Sequence, residues 1–112
     1  MMLYHNPRCS KSRQALAILE ERGEEFQTRK YMDDPLTEQE LRTLLQQLNM
    51  TASELIRKGE AAFKEQALAN ASEDELVVAM LSEPKLIERP VLVVGQRAVV
   101  GRPPERILDL LP

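Results

Sequence analysis

The apolar positions fall into three regimes along the chain. Met2-Leu3-Tyr4 is too short for a helical face and predicts a brief strand. A helical period follows from about Ser10 to Arg22, with Ala15, Leu16, Ile18 and Leu19 on one face and Gly23 as the stop. Glu25 to Tyr31 is mostly polar but carries Phe26, Thr28 and Tyr31, and predicts a second strand. Asp33-Asp34-Pro35 marks a turn. The centre of the chain then reads as helical throughout. Thr37-Glu38-Gln39-Glu40 spells a capping box ahead of Leu41, Leu44, Leu45 and Leu48. Thr51-Ala52-Ser53-Glu54 opens a short helix through Leu55 and Ile56, and Ala61 to Ala67 predicts another. Ser72-Glu73-Asp74-Glu75 caps a helix bearing Leu76, Val77, Met80 and Leu81, which Pro84 ends.

The last quarter changes period. Pro90-Val91-Leu92-Val93-Val94 is an apolar run bounded by turn residues, which predicts a buried strand. Gly95-Gln96 predicts a tight hairpin turn, and Ala98-Val99-Val100 the returning strand. Pro103-Pro104 opens a final helix with Ile107, Leu108 and Leu111 on one face. The element order is βαβ, a helical block, then ββα. That order predicts an α/β, thioredoxin-like fold: a mixed four-stranded sheet with a helical insertion at about 36–83, in a single domain over 1–112.

Composition narrows the class of protein. A chain of 112 residues supports one core, and with 4% aromatic residues Leu, Val and Ile must supply most of its packing. The net charge of −3 excludes a global footprint for nucleic acid or an acidic membrane. One cysteine cannot build an internal disulfide, which points to a reducing compartment. With no signal-peptide pattern and no apolar run of spanning length, the expectation is a soluble cytoplasmic protein without membrane contact.

That cysteine, Cys9, falls at the predicted strand-to-helix turn. Unpaired N–H groups at a helix N-terminus stabilise negative charge. Arg8, Lys11 and Arg13 surround it, and no acidic residue precedes Glu20. Each feature favours the thiolate, which is the nucleophilic form. The turn position also predicts an exposed side chain that carries little core packing. Cys9 and Ser12 stand in a C-x-x-S spacing. Ser12 is either a hydrogen-bond partner of the sulfur, one turn away, or a plain first-turn residue. It cannot close a disulfide, so a redox cycle at Cys9 requires an external thiol such as glutathione.

The single histidine, His5, either supports the thiolate or ends its strand with a satisfied side chain. One His and one Cys do not make a structural zinc site. Arg89-Pro90 precedes the buried strand, where thioredoxin-like folds carry a cis proline beside the active cysteine. Arg102 ends the hairpin and Arg57 ends the short helix after Ile56. Singly, such arginines are solvated surface charges; converging, Arg57, Arg89 and Arg102 would clamp a tetrahedral oxyanion.

The segment His5-Asn6-Pro7-Arg8-Cys9-Ser10-Lys11-Ser12-Arg13 resembles the cysteine loop of the glutaredoxin-type arsenate reductase family. Leu55-Ile56-Arg57-Lys58, Ile87-Glu88-Arg89-Pro90 and Val100-Gly101-Arg102-Pro103-Pro104 resemble its other signature segments, in order and over essentially the whole chain. The resemblance implies Cys9 as nucleophile, His5 as the residue that helps hold its thiolate, and Arg57, Arg89 and Arg102 as oxyanion ligands. It implies arsenate as substrate, glutathione as co-substrate, glutaredoxin as partner, and no bound metal or cofactor. Ser10-Lys11 replaces the Gly-Thr pair of the arsenate-resistance enzymes, and their C-terminal extension is missing. Both features are more similar to a chromosomal, arsenate-reductase-like subgroup. Two further readings stay open: an Spx-like regulatory module that binds RNA polymerase, and a glutathione-dependent oxidoreductase with another acceptor. Ser12 removes the Cys-x-x-Cys switch that the regulators often carry.

Overall fold

The computed structural model describes residues 1–111 and divides the chain into two compact units. The first joins Met1–Asp34 to the chain from Arg89 onward; the second is Pro35–Glu88.

The first unit is a four-stranded sheet in the order β2-β1-β3-β4, with β1 at Met2–Tyr4, β2 at Gln27–Arg29, β3 at Val91–Val94 and β4 at Arg97–Val100. Strands β1 and β2 run parallel, with Leu3 opposite Thr28. They are joined by helix α1, Ser10–Glu21, the crossover that parallel neighbours require. Strand β3 is antiparallel to β1, with Leu3 opposite Leu92, and forms a hairpin with β4. The expected mixed sheet is therefore present, and the Arg89–Pro90 peptide is cis.

Period-two alternation puts Leu3 and Leu92 on the face that meets Ala15 and Leu19 of α1 and Ile107, all fully buried. Truncating such a leucine to alanine removes about 2–5 kcal/mol. The predicted second strand is shorter than expected, because Glu25 and Phe26 precede the paired segment. The C-terminal segment Pro104–Leu110 is a 3-10 helix with Pro104 in its first turn, where the missing N–H costs nothing. Gly95 supplies the positive φ, 60°, that opens the hairpin turn.

The second unit is helical. It contains α2 (Glu38–Leu48), α3 (Ala52–Leu55), α4 (Ala61–Glu65) and α5 (Glu73–Ser82), with 3-10 turns at Leu68–Asn70 and Pro84–Leu86. The capping box predicted at Thr37/Glu40 forms, and the helix starts read at Thr51 and Ser72 close the same box with Glu54 and Glu75. Helices α2 and α3 both pack on α5 and bury Leu41, Leu44, Leu55, Leu76, Val77 and Met80. Glu73 of α5 accepts a hydrogen bond from the Ala52 N–H at 2.7 Å, tying the start of α3 to α5. This unit runs to Glu88, beyond the predicted end of the helical block, because Ile87 bridges Ile56 in antiparallel fashion. Among the described residues, no helix is long and apolar enough to cross a membrane.

Candidate active site around Cys9

Cys9 is the N-cap residue of α1, with extended backbone angles of −94° and 124°. The turn that delivers it is built by Asn6. The Asn6 carbonyl accepts from the Cys9 N–H at 3.0 Å, and its side-chain oxygen accepts from the Arg8 N–H at 3.1 Å. Asparagine favours such a turn because its side chain mimics a backbone carbonyl. Arg13 closes the loop from the helix side, donating to the Pro7 carbonyl at 2.9 Å. The Cys9 side chain makes no capping hydrogen bond, and the first turn of α1 contains no acidic residue. The expected exposure does not hold. Cys9 is only 8% exposed, so its side chain contributes packing.

His5 and Ser12 meet beneath this turn. His5 Nδ1 lies 2.6 Å from Ser12 Oγ, and both side chains are buried. Ser12 Oγ also accepts from the Asn6 N–H at 3.0 Å. A hydroxyl has one proton to give, and a buried donor left without an acceptor is costly. In the tautomer that gives this proton an acceptor, the serine donates to His5 Nδ1 and the ring carries its own proton on Nε2. Burial first, and then the positive charges of Lys30 and Arg13, hold His5 below its ordinary range. His5 is therefore a neutral imidazole at neutral pH. The C-x-x-S spacing leaves a bond from Ser12 to the Cys9 sulfur as one of two readings; the hydroxyl instead serves His5 and Asn6.

The hairpin brings Arg89 and Arg102 together. Gly101 donates to the Pro90 carbonyl at 2.8 Å. A Cβ on Gly101 would stand 2.9 Å from Pro90 Cγ and 3.1 Å from Ile107, so only glycine permits this approach. Arg102 Nη1 then reaches the Arg89 carbonyl at 3.3 Å. Both arginines are half-buried.

Arg57 belongs to the helical unit. Its backbone N–H donates to the Leu86 carbonyl at 2.7 Å. Its guanidinium contacts two carboxylates, Nη1 to Glu60 at 2.9 Å and Nε to Glu88 at 3.0 Å. Neither these partners nor the turn-building role of Asn6 is evident from the sequence alone. The i,i+3 spacing of Arg57 and Glu60 was a usable signal, whereas the Glu88 contact depends on the Ile56–Ile87 bridge.

A thioredoxin-like sheet with one cysteine capping its first helix defines a class of thiol proteins. The ArsC family profile matches residues 4–110, and the chain belongs to that family. Uncharacterized protein YfgD of Escherichia coli is 46% identical, over 97% of this chain and 94% of its own. An arsenate reductase of Neisseria meningitidis is 40% identical, over 97% of this chain and 96% of its own. The solved structure of an arsenate reductase from Vibrio cholerae superposes with a TM-score of 0.94 at 43% identity, covering 98% of this chain and 96% of that one.

Proposed function

We propose that this chain is an arsenate reductase that turns over with glutathione and glutaredoxin. The observation that carries the reading is the uncapped, acid-free start of α1 at Cys9 in a member of the ArsC family. The Cys9 thiolate attacks arsenic, an arsenic–oxygen bond breaks, and water leaves. Glutathione attacks the resulting cysteinyl–arsenate adduct. In the net reaction two glutathiones lose two electrons and become a disulfide, while arsenic passes from the pentavalent to the trivalent state and arsenite and water are released. Glutaredoxin returns the system to thiols by exchange.

Arg57, Arg89 and Arg102 bind the oxyanion and stabilise charge as the adduct forms. Neutral His5 supports the thiolate as an Nε2–H donor rather than as a cation, and Ser12 keeps its ring in that form. No metal or bound cofactor is required. The redox partners place the protein in a reducing compartment, the cytoplasm.

The test is arsenate-dependent NADPH oxidation, coupled through glutathione reductase or through thioredoxin reductase. Multiple turnovers are expected with glutathione and glutaredoxin, and few with thioredoxin alone, since this chain has one cysteine and forms no internal disulfide for thioredoxin to reduce. Equal turnover with thioredoxin alone would contradict the monothiol cycle. No turnover with either system would point to a different acceptor.

A further inference from the structure

The guanidinium of Arg57 does not stand alone. Glu60 occupies Nη1 at 2.9 Å and Glu88 occupies Nε at 3.0 Å, and each of these three side chains is about a quarter exposed, at 25%, 26% and 29% for Arg57, Glu60 and Glu88. The third nitrogen, Nη2, shares one edge of the planar fork with Nε and the other with Nη1. An oxyanion held by Arg57 through Nη2 is therefore a close neighbour of both carboxylates. Ionised carboxylates only accept hydrogen bonds. An anion that also only accepts, such as sulfate, meets like charge and opposing lone pairs there. An anion that keeps a proton near neutral pH, as hydrogen arsenate and hydrogen phosphate do, donates that proton to a carboxylate oxygen.

We propose that Glu60 is a specificity-determining residue, selecting oxyanions that carry an O–H over those that carry none. The proposal rests on the reading of Arg57 as a substrate ligand. The discrimination comes from a repulsive element placed beside an attractive one. A site whose own polar group requires a donor from the ligand rejects a ligand that lacks one far more strongly than shape alone permits. Cells contain sulfate, so a clamp built from arginines only would be open to it. Glu60 removes that competitor without altering the arginine that holds the substrate.

The experiment measures binding of inorganic sulfate and inorganic phosphate by calorimetry at neutral pH, and their inhibition of arsenate reduction, for the natural chain, Glu60→Gln and Arg57→Ala. Glutamine keeps an acceptor for Arg57 Nη1 but removes the charge and offers an N–H to the ligand. In the natural chain, phosphate binds more tightly than sulfate. In Glu60→Gln, sulfate affinity rises about tenfold or more while phosphate affinity changes less than about threefold. Equal shifts for both anions, or none for either, would overturn the proposal. Arg57→Ala separates anion binding from anion selectivity. Weakened binding of both anions supports Arg57 as a ligand, whatever Glu60 does; unchanged binding of both would overturn the substrate-ligand reading itself.

Discussion

Helices α2 and α1 begin in opposite ways. At the start of α2, Thr37 Oγ1 accepts from the Glu40 N–H at 3.2 Å, and Glu40 accepts from the Thr37 N–H at 2.9 Å. Acidic residues occupy its first turn, as they do in α3 and α5, each of which repeats the same box. Helix α1 has Cys9 at its cap, no side-chain cap hydrogen bond and no acidic residue in its first turn. A capping box satisfies orphan N–H groups with the chain's own oxygens, and each such cap contributes about 1 kcal/mol. The chain thus seals α2, α3 and α5 with carboxylates; α4 shares the open, acid-free start of α1, but only α1 carries a cysteine at its cap. In the proposed reading the anion at the start of α1 is the Cys9 thiolate and, in turn, the oxyanion it attacks.

The contrast is sharpest in stability. Thr37→Ala or Ser72→Ala should cost about 1 kcal/mol, seen as a lowered urea midpoint with an unchanged slope. Cys9→Ala removes no cap hydrogen bond, so its loss should come only from the sulfur's packing. No loss in Thr37→Ala and Ser72→Ala would break the distinction.

An acid installed at the open terminus should blur the two kinds of helix. Ser10 is exposed in the first turn of α1. Ser10→Glu should stabilise the helix by about 0.3–1 kcal/mol through its dipole. The same carboxylate should oppose a neighbouring thiolate by a similar energy, slowing alkylation of Cys9 by iodoacetamide about two- to fivefold at neutral pH. An unchanged alkylation rate would mean that the helix start does not govern the sulfur.

Acid separates the two regions by window. The Glu54 and Glu75 carboxyls lie below their ordinary value of 4.5 because each accepts from its own cap backbone, Thr51 and Ser72. Their stabilisation is present above 4.5 and is lost as pH falls through the lower folded-state value. His5 also lies below its ordinary 6.5, so the unfolded chain takes up the proton first. Its contribution is intact above 6.5 and falls as pH drops toward the folded-state value. Urea melts at pH 5 and pH 7.5 should therefore show lower stability at the acid end, and His5→Asn should flatten that difference. A difference that persists in His5→Asn would assign it elsewhere.

Much of this was readable in advance because it is local. The capping boxes are fixed by three-residue spacings, the Gly95 turn by backbone freedom, and the strand at Val91–Val94 by an apolar run. The Cys9 turn was legible for the same reason: a short apolar strand before it, a cationic surround and a helix behind it. The features that escaped depend on contacts distant in sequence. Spacing leaves Ser12 either a partner of Cys9 or a plain first-turn residue, but the depth of His5 beneath α1 brings the hydroxyl to the imidazole. Arg57 looks like a surface cation until the Ile56–Ile87 bridge delivers Glu88 to it. The exposure of Cys9 was misjudged because a turn residue that caps a helix can still be covered. The final segment was read as an α-helix from its apolar spacing, whereas Pro104–Leu110 adopts the tighter 3-10 form.

The most direct test is Cys9→Ser, which keeps the shape of the cap and removes the sulfur. Serine is among the best N-cap residues, so its melting temperature should lie within about 5 °C of the natural chain or above it. Arsenite formed from arsenate with glutathione and glutaredoxin is measured in the same samples. In Cys9→Ser it should fall to the level without the protein. Sustained arsenite production by the folded Cys9→Ser variant would contradict Cys9 as the nucleophile.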